Sequence, residues 1–348
     1  MASSIRCGTT IQDMEQEDMS ASQTTIGRFA PTPSGRMHLG NIFAALLCWL
    51  AVRSAGGRMI LRIEDLDPRT RNGNATATLI EDLKWLGLDW DEGPIFQSSH
   101  NAFYQQALNS LQAKGLIYPC FCTRSELHVA TAPHTSDGTY VYPGTCRRLS
   151  EEEVRQRAKI HPYALRLIVP DGSDPNGQLI VDDLVYGKHV ENLAHDCGDF
   201  LVKRSDGIFA YQLACVVDDG ISDVNLVVRG HDLLGSSARQ SYLAHLLGFK
   251  QPAYGHVPLL IAPDGRRLSK REKDLDLGAL RANGISSERI IGVLAASVGL
   301  IDRQVDITPA ELVDTFSWEV IRAHSHDIVV DKSFLTKLGI AVSPLGGV

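Results

Sequence analysis

Residues Arg28 to Asn41, read as RFAPTPSGRMHLGN, carry the side chains and backbone that handle phosphate. The order reads as a strand, a turn rich in Pro, Ser and Gly, and an apolar helix starting at His38. Such a junction aims backbone N–H groups and the positive end of a helix dipole at whatever lies above it. His38 and Asn41 fall on the first turn, and Gly40 allows close approach of a ligand to the backbone. A second group, Asp264 to Arg271 (DGRRLSKR), stands far downstream. There Lys270 supplies a compact point charge and Ser269 a hydroxyl donor, both suited to a triphosphate. Alone, either string reads as a capped turn or a solvated basic loop. The pair in one chain points to nucleotide chemistry. The chain carries neither a Walker A sequence nor a GxGxxG run.

A third group mixes charges within apolar strands. Arg28 ends the first strand, and Glu64 ends the second within Arg-Ile-Glu-Asp-Leu-Asp. In a parallel sheet both face the crevice beyond the strand carboxyl ends, where ligands bind. The bland alternative is a structural ion pair between them. A fourth group is Cys120-Phe121-Cys122, followed by Tyr142-Pro143-Gly144-Thr145-Cys146. Cysteines at i and i+2 of a strand share one side, a chelating arrangement, and a third cysteine returns beyond a loop. The bland alternative is three buried thiols. Structural metal sites normally take four ligands, and His128 and His134 are ordinary candidates for the fourth place.

The elements that must position these groups follow from periodicity. Strands are expected at Ile26–Ala30 and Arg58–Glu64, and helices at Asn41–Ser54, Ala75–Leu86 and Ala102–Lys114. That alternation predicts an α/β fold built on a Rossmann-like parallel sheet. The predicted division is a disordered arm at 1–25 and the first half of the catalytic domain at 26–117. A metal-binding and connecting insertion at 118–195 follows, then the second catalytic half at 196–275 and a helical C-terminal subdomain at 276–348. The net charge of −7 argues against a protein held to nucleic acid by a global basic field, though a local basic patch remains open. Seven cysteines, an odd number, do not read as a disulfide scaffold. The first 25 residues are too polar for a signal peptide, and the apolar runs are too short to span a bilayer. A cytoplasmic monomer with no membrane partner is expected.

The first string resembles the "HIGH" signature of class I aminoacyl-tRNA synthetases in the form used by the glutamyl branch. The second resembles the "KMSKS" loop of that family, with Arg267 for the first Lys, Leu268 for Met and Arg271 for the last Ser. The resemblance implies an enzyme that activates glutamate with ATP and Mg²⁺. His38, Asn41 and Lys270 would be catalytic, and His38, Gly40, Asn41, Ser269 and Lys270 would hold ATP. The strings around Tyr211 and Arg229 are also similar to the family's. By that likeness Arg28, Ala30, Thr32, Glu64, Tyr211 and Arg229 would hold glutamate, with arginines on the carboxylates and Glu64 on the ammonium. Two arginines facing one ligand suit a dicarboxylic acid. The Cys-x-Cys and Tyr-x-x-x-Cys pattern resembles the zinc module of a short branch, the glutamyl-queuosine tRNA(Asp) synthetases. It implies one structural zinc held by Cys120, Cys122, Tyr142 and Cys146; Tyr140 is out of register. Only a short stretch follows Lys273, which also fits that branch. Its members activate glutamate without tRNA and attach it to queuosine in the anticodon loop of tRNA(Asp). Two other expectations stand beside it. One is a truncated glutamyl-tRNA synthetase charging the acceptor end of tRNA(Glu). The other is an inactive tRNA-binding paralogue.

Adenylation needs positioned charge rather than a proton shuttle, so Lys270 is expected to act on phosphate charge developing in the transition state. Lys270→Ala should slow adenylate formation about a hundredfold or more while glutamate binding stays nearly intact. ATP–pyrophosphate exchange alongside glutamate titration checks this, and an unchanged exchange rate removes the assignment.

Overall fold

The computed structural model describes residues 24–71, 73–123, 125–126, 141–268 and 275–340. The expected N-terminal arm, apart from Thr24 and Thr25, lies outside the described residues. The chain opens with β1 (Ile26–Phe29), α1 (Leu39–Ser54), β2 (Arg58–Ile63), α2 (Gly73–Trp85), β3 (Glu92–Phe96) and α3 (Asn101–Ala113). It continues through β4 (Ile117–Cys120), α4 (Glu151–Ala158), β5 (Ala164–Leu167), β6 (Gln178–Asp183), β7 (Gly187–Asn192), a single turn α5 (Leu193–Asp196) and β8 (Phe200–Lys203). Next come α6 (Tyr211–Ile221), β9 (Leu226–Gly230), α7 (Leu234–Leu247), β10 (Ala253–Val257) and β11 (Leu260–Ile261). The described chain closes with α8 (Leu277–Ala282), α9 (Ser287–Ser297), α10 (Trp318–Ala323), β12 (Ile328–Val329) and α11 (Lys332–Leu338).

A seven-stranded sheet runs in the order β3-β2-β1-β9-β10-β6-β7. Its neighbours are parallel except for the antiparallel β6–β7 edge. The expected Rossmann-like α/β architecture is therefore present. The chain winds outward from β1 on one side and resumes at β9 on the other, which makes the β1/β9 boundary the switch point where ligands bind.

Side-chain alternation divides the sheet into two unlike faces. Phe29, Val228 and Val257 face α1 and belong to the largest core cluster. Arg28, Arg229 and His256, next to them in sequence, face α6 and α7. Helix α1 is buried from Leu39 to Val52 on nearly every side. Its C-terminal end is tied down by Arg53, which pairs with Asp89 at 2.8 Å and Asp91 at 2.7 Å.

A second, antiparallel sheet in the order β4-β5-β8 carries the metal-binding segment. The expected boundaries differ here from the strand partners. Residues 178–192, assigned from sequence to the insertion, form the edge of the main sheet. Residues 200–203, assigned to the second catalytic half, complete the small sheet. Period-two alternation reveals a strand but not which sheet it joins. The C-terminal helices pack back onto the α1 face, and the six-membered ring of Trp318 presses on Gly255 of β10, where an added Cβ would stand 2.4 Å from the indole. Gly255→Ala should therefore cost about 1–3 kcal/mol by overpacking. Urea unfolding checks this, with a fall in the midpoint at unchanged slope as the expected result.

Candidate active site and metal centre

The first turn of α1 is built as a capping box. The His38 Nδ1 accepts from the Gly40 N–H at 3.1 Å, and the Asn41 Oδ1 accepts from the His38 N–H at 3.3 Å. An accepting Nδ1 places the proton of a neutral ring on Nε2, a donor. His38, Gly40 and Asn41 line a cavity of about 680 Å³ whose opposite wall includes Asp232, Arg266, Arg267 and Leu268. The two signature strings thus meet across one space of ligand size. Ser269 and Lys270 lie outside the described residues. The Arg266–Leu268 segment before them is fixed as a hairpin arm. The Ala262 N–H donates to the Arg266 carbonyl at 2.7 Å, and the Leu268 N–H to the Leu260 carbonyl at 3.3 Å. Arg267 pairs with Asp232. The other arm, β11, pairs with β12 of the C-terminal segment. Asp327 holds His231 at 2.7 Å and accepts from the Leu259 N–H at 2.9 Å.

Ala30 and Thr32 line a smaller neighbouring cavity of about 280 Å³ that shares His38 and Asn41. Arg28 and Glu64 are close but are not paired with each other. Arg28 donates to Asp219 at 3.2 Å, Arg62 donates to the same Asp219 at 2.5 Å, and Arg62 reaches Glu64 at 3.4 Å. Cys215 donates to Glu64 at 3.5 Å. Burial raises the Glu64 pKa, and Arg62 and Arg28 pull against that rise. Asp219 is held below the usual carboxylate range despite burial, by Arg28 and Arg62. Tyr211 opens α6 with 37 % of its surface exposed. Its hydroxyl lies among Cys215, Arg229, Glu64 and Arg28, and desolvation there is the main cause of its raised pKa.

Arg229 sits in its own cage. It donates to His256 at 3.1 Å, Gln240 at 2.8 Å, Ser237 at 2.9 Å and the Leu233 carbonyl at 3.2 Å. His256 must be neutral to accept, and its pKa is pushed down to about 4, chiefly by burial. Its Nδ1 faces Asp183 at 2.6 Å. The guanidinium is thus oriented before any ligand arrives, a condition for bidentate recognition.

The candidate metal donors converge. The Cys120, Cys122 and Cys146 sulfurs lie within 4.8 Å of one another. The Tyr142 hydroxyl stands 3.4 Å from the Cys120 Sγ and 3.6 Å from the Cys122 Sγ, and Cys122 and Cys146 are 3.6 Å apart. A tetrahedral site with metal–sulfur bonds of about 2.3 Å and a metal–oxygen bond of about 2.0 Å needs separations of roughly 3.8 Å between sulfurs and 3.5 Å from sulfur to oxygen. The Tyr142–Cys120, Tyr142–Cys122 and Cys122–Cys146 separations fit that geometry. Burial holds the Tyr142 phenol well above its ordinary range, and the Cys146 N–H, donating to its oxygen at 2.9 Å, pulls the other way, so an incoming metal must displace this proton. Arg166 lies 3.7 Å over the Tyr142 ring and donates to Cys120 at 3.3 Å, offsetting an anionic donor set. Burial pushes the Cys122 thiol up to about 12, so an incoming metal must displace its proton. His128, His134 and Tyr140 lie outside the described residues.

Sequence reasoning missed Arg62, Asp219, Cys215, Asp232, Arg166 and His256. The signal was present for two of them. A charged residue inside Met-Ile-Leu-Arg-Ile, or inside Ala-Leu-Arg-Leu, is costly to bury unless paired, so it announces a partner.

Residues 25–318 match the family described as tRNA synthetases class I (E and Q), catalytic domain. The Glutamyl-Q tRNA(Asp) synthetase of Symbiobacterium thermophilum is 47% identical over 302 residues, covering 83% of this chain and 91% of the relative. That of Nitratidesulfovibrio vulgaris is 44% identical over 301 residues, 84% and 91% of the two chains. A Glutamate--tRNA ligase from Coprothermobacter proteolyticus is 37% identical over 300 residues, 85% of this chain and 63% of the relative. The fold is similar to that of a glutamate tRNA ligase from Elizabethkingia meningosepticum. The TM-score is 0.74 at 24% identity, covering 91% of this chain and 69% of that one.

The four-donor site predicts one tightly held metal per chain. Cys122→Ser should lower metal content and the thermal midpoint together, and Tyr142→Phe should weaken retention against a chelator. Metal analysis of the purified chain is the check, and a native protein without metal removes the site.

Proposed function

The chain belongs to the class I tRNA synthetases of the glutamate and glutamine type, and from that premise we propose that it forms glutamyl-adenylate from L-glutamate and ATP without tRNA, then transfers the glutamyl group to queuosine at the wobble position of tRNA(Asp). The observation that carries the first step is the single cavity joining His38, Gly40 and Asn41 to Arg266–Leu268. A glutamate carboxylate oxygen attacks the α-phosphorus, the bond from that phosphorus to the β-bridging oxygen breaks, and pyrophosphate leaves. No protein group need carry a proton in this step. His38 Nε2–H, the first-turn amides of α1 and Lys270 stabilise phosphate charge. Mg²⁺ accompanies ATP and neutralises part of that charge.

Glutamate lies at the switch point between the adenylate-forming cavity and the arginine face. Arg28, Tyr211 and Arg229 take its carboxylates, and Glu64 takes its ammonium, with Ala30 and Thr32 lining the approach. Arg28 can exchange Asp219 for a substrate carboxylate at little electrostatic cost, because Arg62 continues to neutralise Asp219. The metal is zinc, held by Cys120, Cys122, Tyr142 and Cys146; thiolate donors at tetrahedral spacing favour it, and its part is structural. In the second step a queuosine hydroxyl attacks the activated carbonyl and AMP leaves. That destination is supported by the relatives named for it, whose length this chain nearly spans.

Exchange of labelled pyrophosphate into ATP, with glutamate and no tRNA, tests the first step and should be robust. Exchange that needs tRNA(Glu) would favour acceptor-end charging, and none under any condition an inactive paralogue. Labelled glutamate supplied with queuosine-containing and queuosine-free tRNA(Asp) tests the second step. Label should appear only on the former and within the anticodon loop.

A further inference from the structure

Asp82, on α2, belongs to no signature string, yet its side chain is only 1% exposed and takes two cations. Its Oδ1 faces the Arg36 Nη1 at 3.2 Å and the Arg281 Nη1 at 3.5 Å. Its Oδ2 has no hydrogen-bond partner among the described residues, so both arginines donate to the one oxygen, Oδ1. The two arginines come from distant parts of the chain, and Arg36 lines the smaller cavity that shares His38 and Asn41 with the larger one. Arg36 lies two residues before His38, and Arg281 lies on α8, which follows the second signature string. The same two segments also join through backbone. The Leu277 N–H donates to the Met37 carbonyl at 2.9 Å, and His38 forms a bridge with Asp276. Arg36 reaches Asp82 by crossing the first turn of α8 at Gly278, where an added Cβ would stand 2.7 Å from its Cδ and Nε. Arg281 is braced in turn by the Trp85 ring, 4.8 Å from its guanidinium.

We propose that Asp82 is a positioning residue for the nucleotide site, gathering Arg36 and Arg281 into a clamp that fixes Met37–His38 against α8. The proposal rests on the adenylation reading above. Among the described residues Asp82 is the one carboxylate paired with both arginines, Glu81 meeting Arg281 alone at 3.6 Å, so Asp82 sets the distance between the His38 turn and the helix beyond the second string. A shift of about 1 Å in a group that must meet phosphate in the transition state lowers kcat on the order of a hundredfold. The glutamate-side residues Arg28, Glu64 and Arg229 sit on other elements and make no contact with Asp82, so glutamate KM is insulated from the clamp.

The test is steady-state ATP–pyrophosphate exchange on wild type, Asp82→Asn, Arg281→Met, Arg281→Lys and Leu83→Ala. Leu83 is an apolar neighbour on α2 and serves as a stability control. Asp82→Asn keeps the shape and removes the charge. It should lower kcat about ten- to a hundredfold with glutamate KM within about twofold. Arg281→Met should do the same more weakly, and Arg281→Lys should recover most of that loss. Leu83→Ala should lower the unfolding midpoint yet keep kcat at temperatures where it is folded. If kcat of Asp82→Asn stays within twofold of wild type, or falls only with its folded fraction, the clamp is overturned. Should Asp82→Asn fail to fold, an unchanged kcat in Arg281→Met overturns it equally. A wild-type chain without exchange overturns the adenylation reading and the clamp with it, whereas equal exchange in wild type and variants overturns the clamp alone.

Discussion

Everything at the nucleotide cavity depends on the burial of α1. Eleven of its sixteen residues are buried, on all sides rather than along one stripe. A helix of that kind can neither roll nor slide without opening the close-packed core around it. Losing one such leucine typically costs about 2–5 kcal/mol, so the helix is held far more firmly than its own hydrogen bonds require. His38 and Asn41 inherit that rigidity because they are its first turn. The Cys48 thiol extends it to β1 by donating to the Arg28 carbonyl at 3.3 Å. Both halves of the site are therefore referenced to one immobile element.

The opposite face of the sheet solves a different problem. Three arginines, Arg28, Arg62 and Arg229, are almost fully buried there. Isolated charges in such surroundings would be prohibitive, so each is matched before substrate arrives. Asp219 serves two of them, and a neutral His256 with Gln240 and Ser237 orients the third. Arg62 is flanked further by Glu64 at 3.4 Å and Asp218 at 3.8 Å, so the buried cations are balanced by carboxylates in a low-dielectric setting. Preorganised dipoles and charges of this kind need little rearrangement during reaction.

How much of this could be read from residues alone follows a physical divide. The first two strands and first three helices were legible because their periods are clean, whereas β3 (Glu92–Phe96), with Gly93 and Pro94 inside it, was not expected. That Tyr142 stands beside the three cysteines was anticipated only through family likeness, since its spacing alone does not single it out. Arg28 and Glu64 were correctly brought to one neighbourhood. Arg62, the partner of Glu64, stands two residues before it, whereas the partner of Arg28 is Asp219 on α6, at a separation in sequence that spacing cannot bridge. The same reason hid the strand partners of β6 and β8. Pairing across a hundred residues is decided by packing, whereas local pattern decides only that a strand exists.

That pairing has a consequence for how the molecule can change. Between Ile117 and Lys203 the backbone alternates between sheets: β4 and β5 in the small one, β6 and β7 in the large one, then β8 back in the small one. The metal module is therefore woven into the catalytic body rather than inserted as a cassette. A recombination event that swapped residues 117–203 would carry away two strands of the main sheet along with the cysteines. Such a module can drift by point substitution, donor by donor, but it resists being inherited or lost as a block.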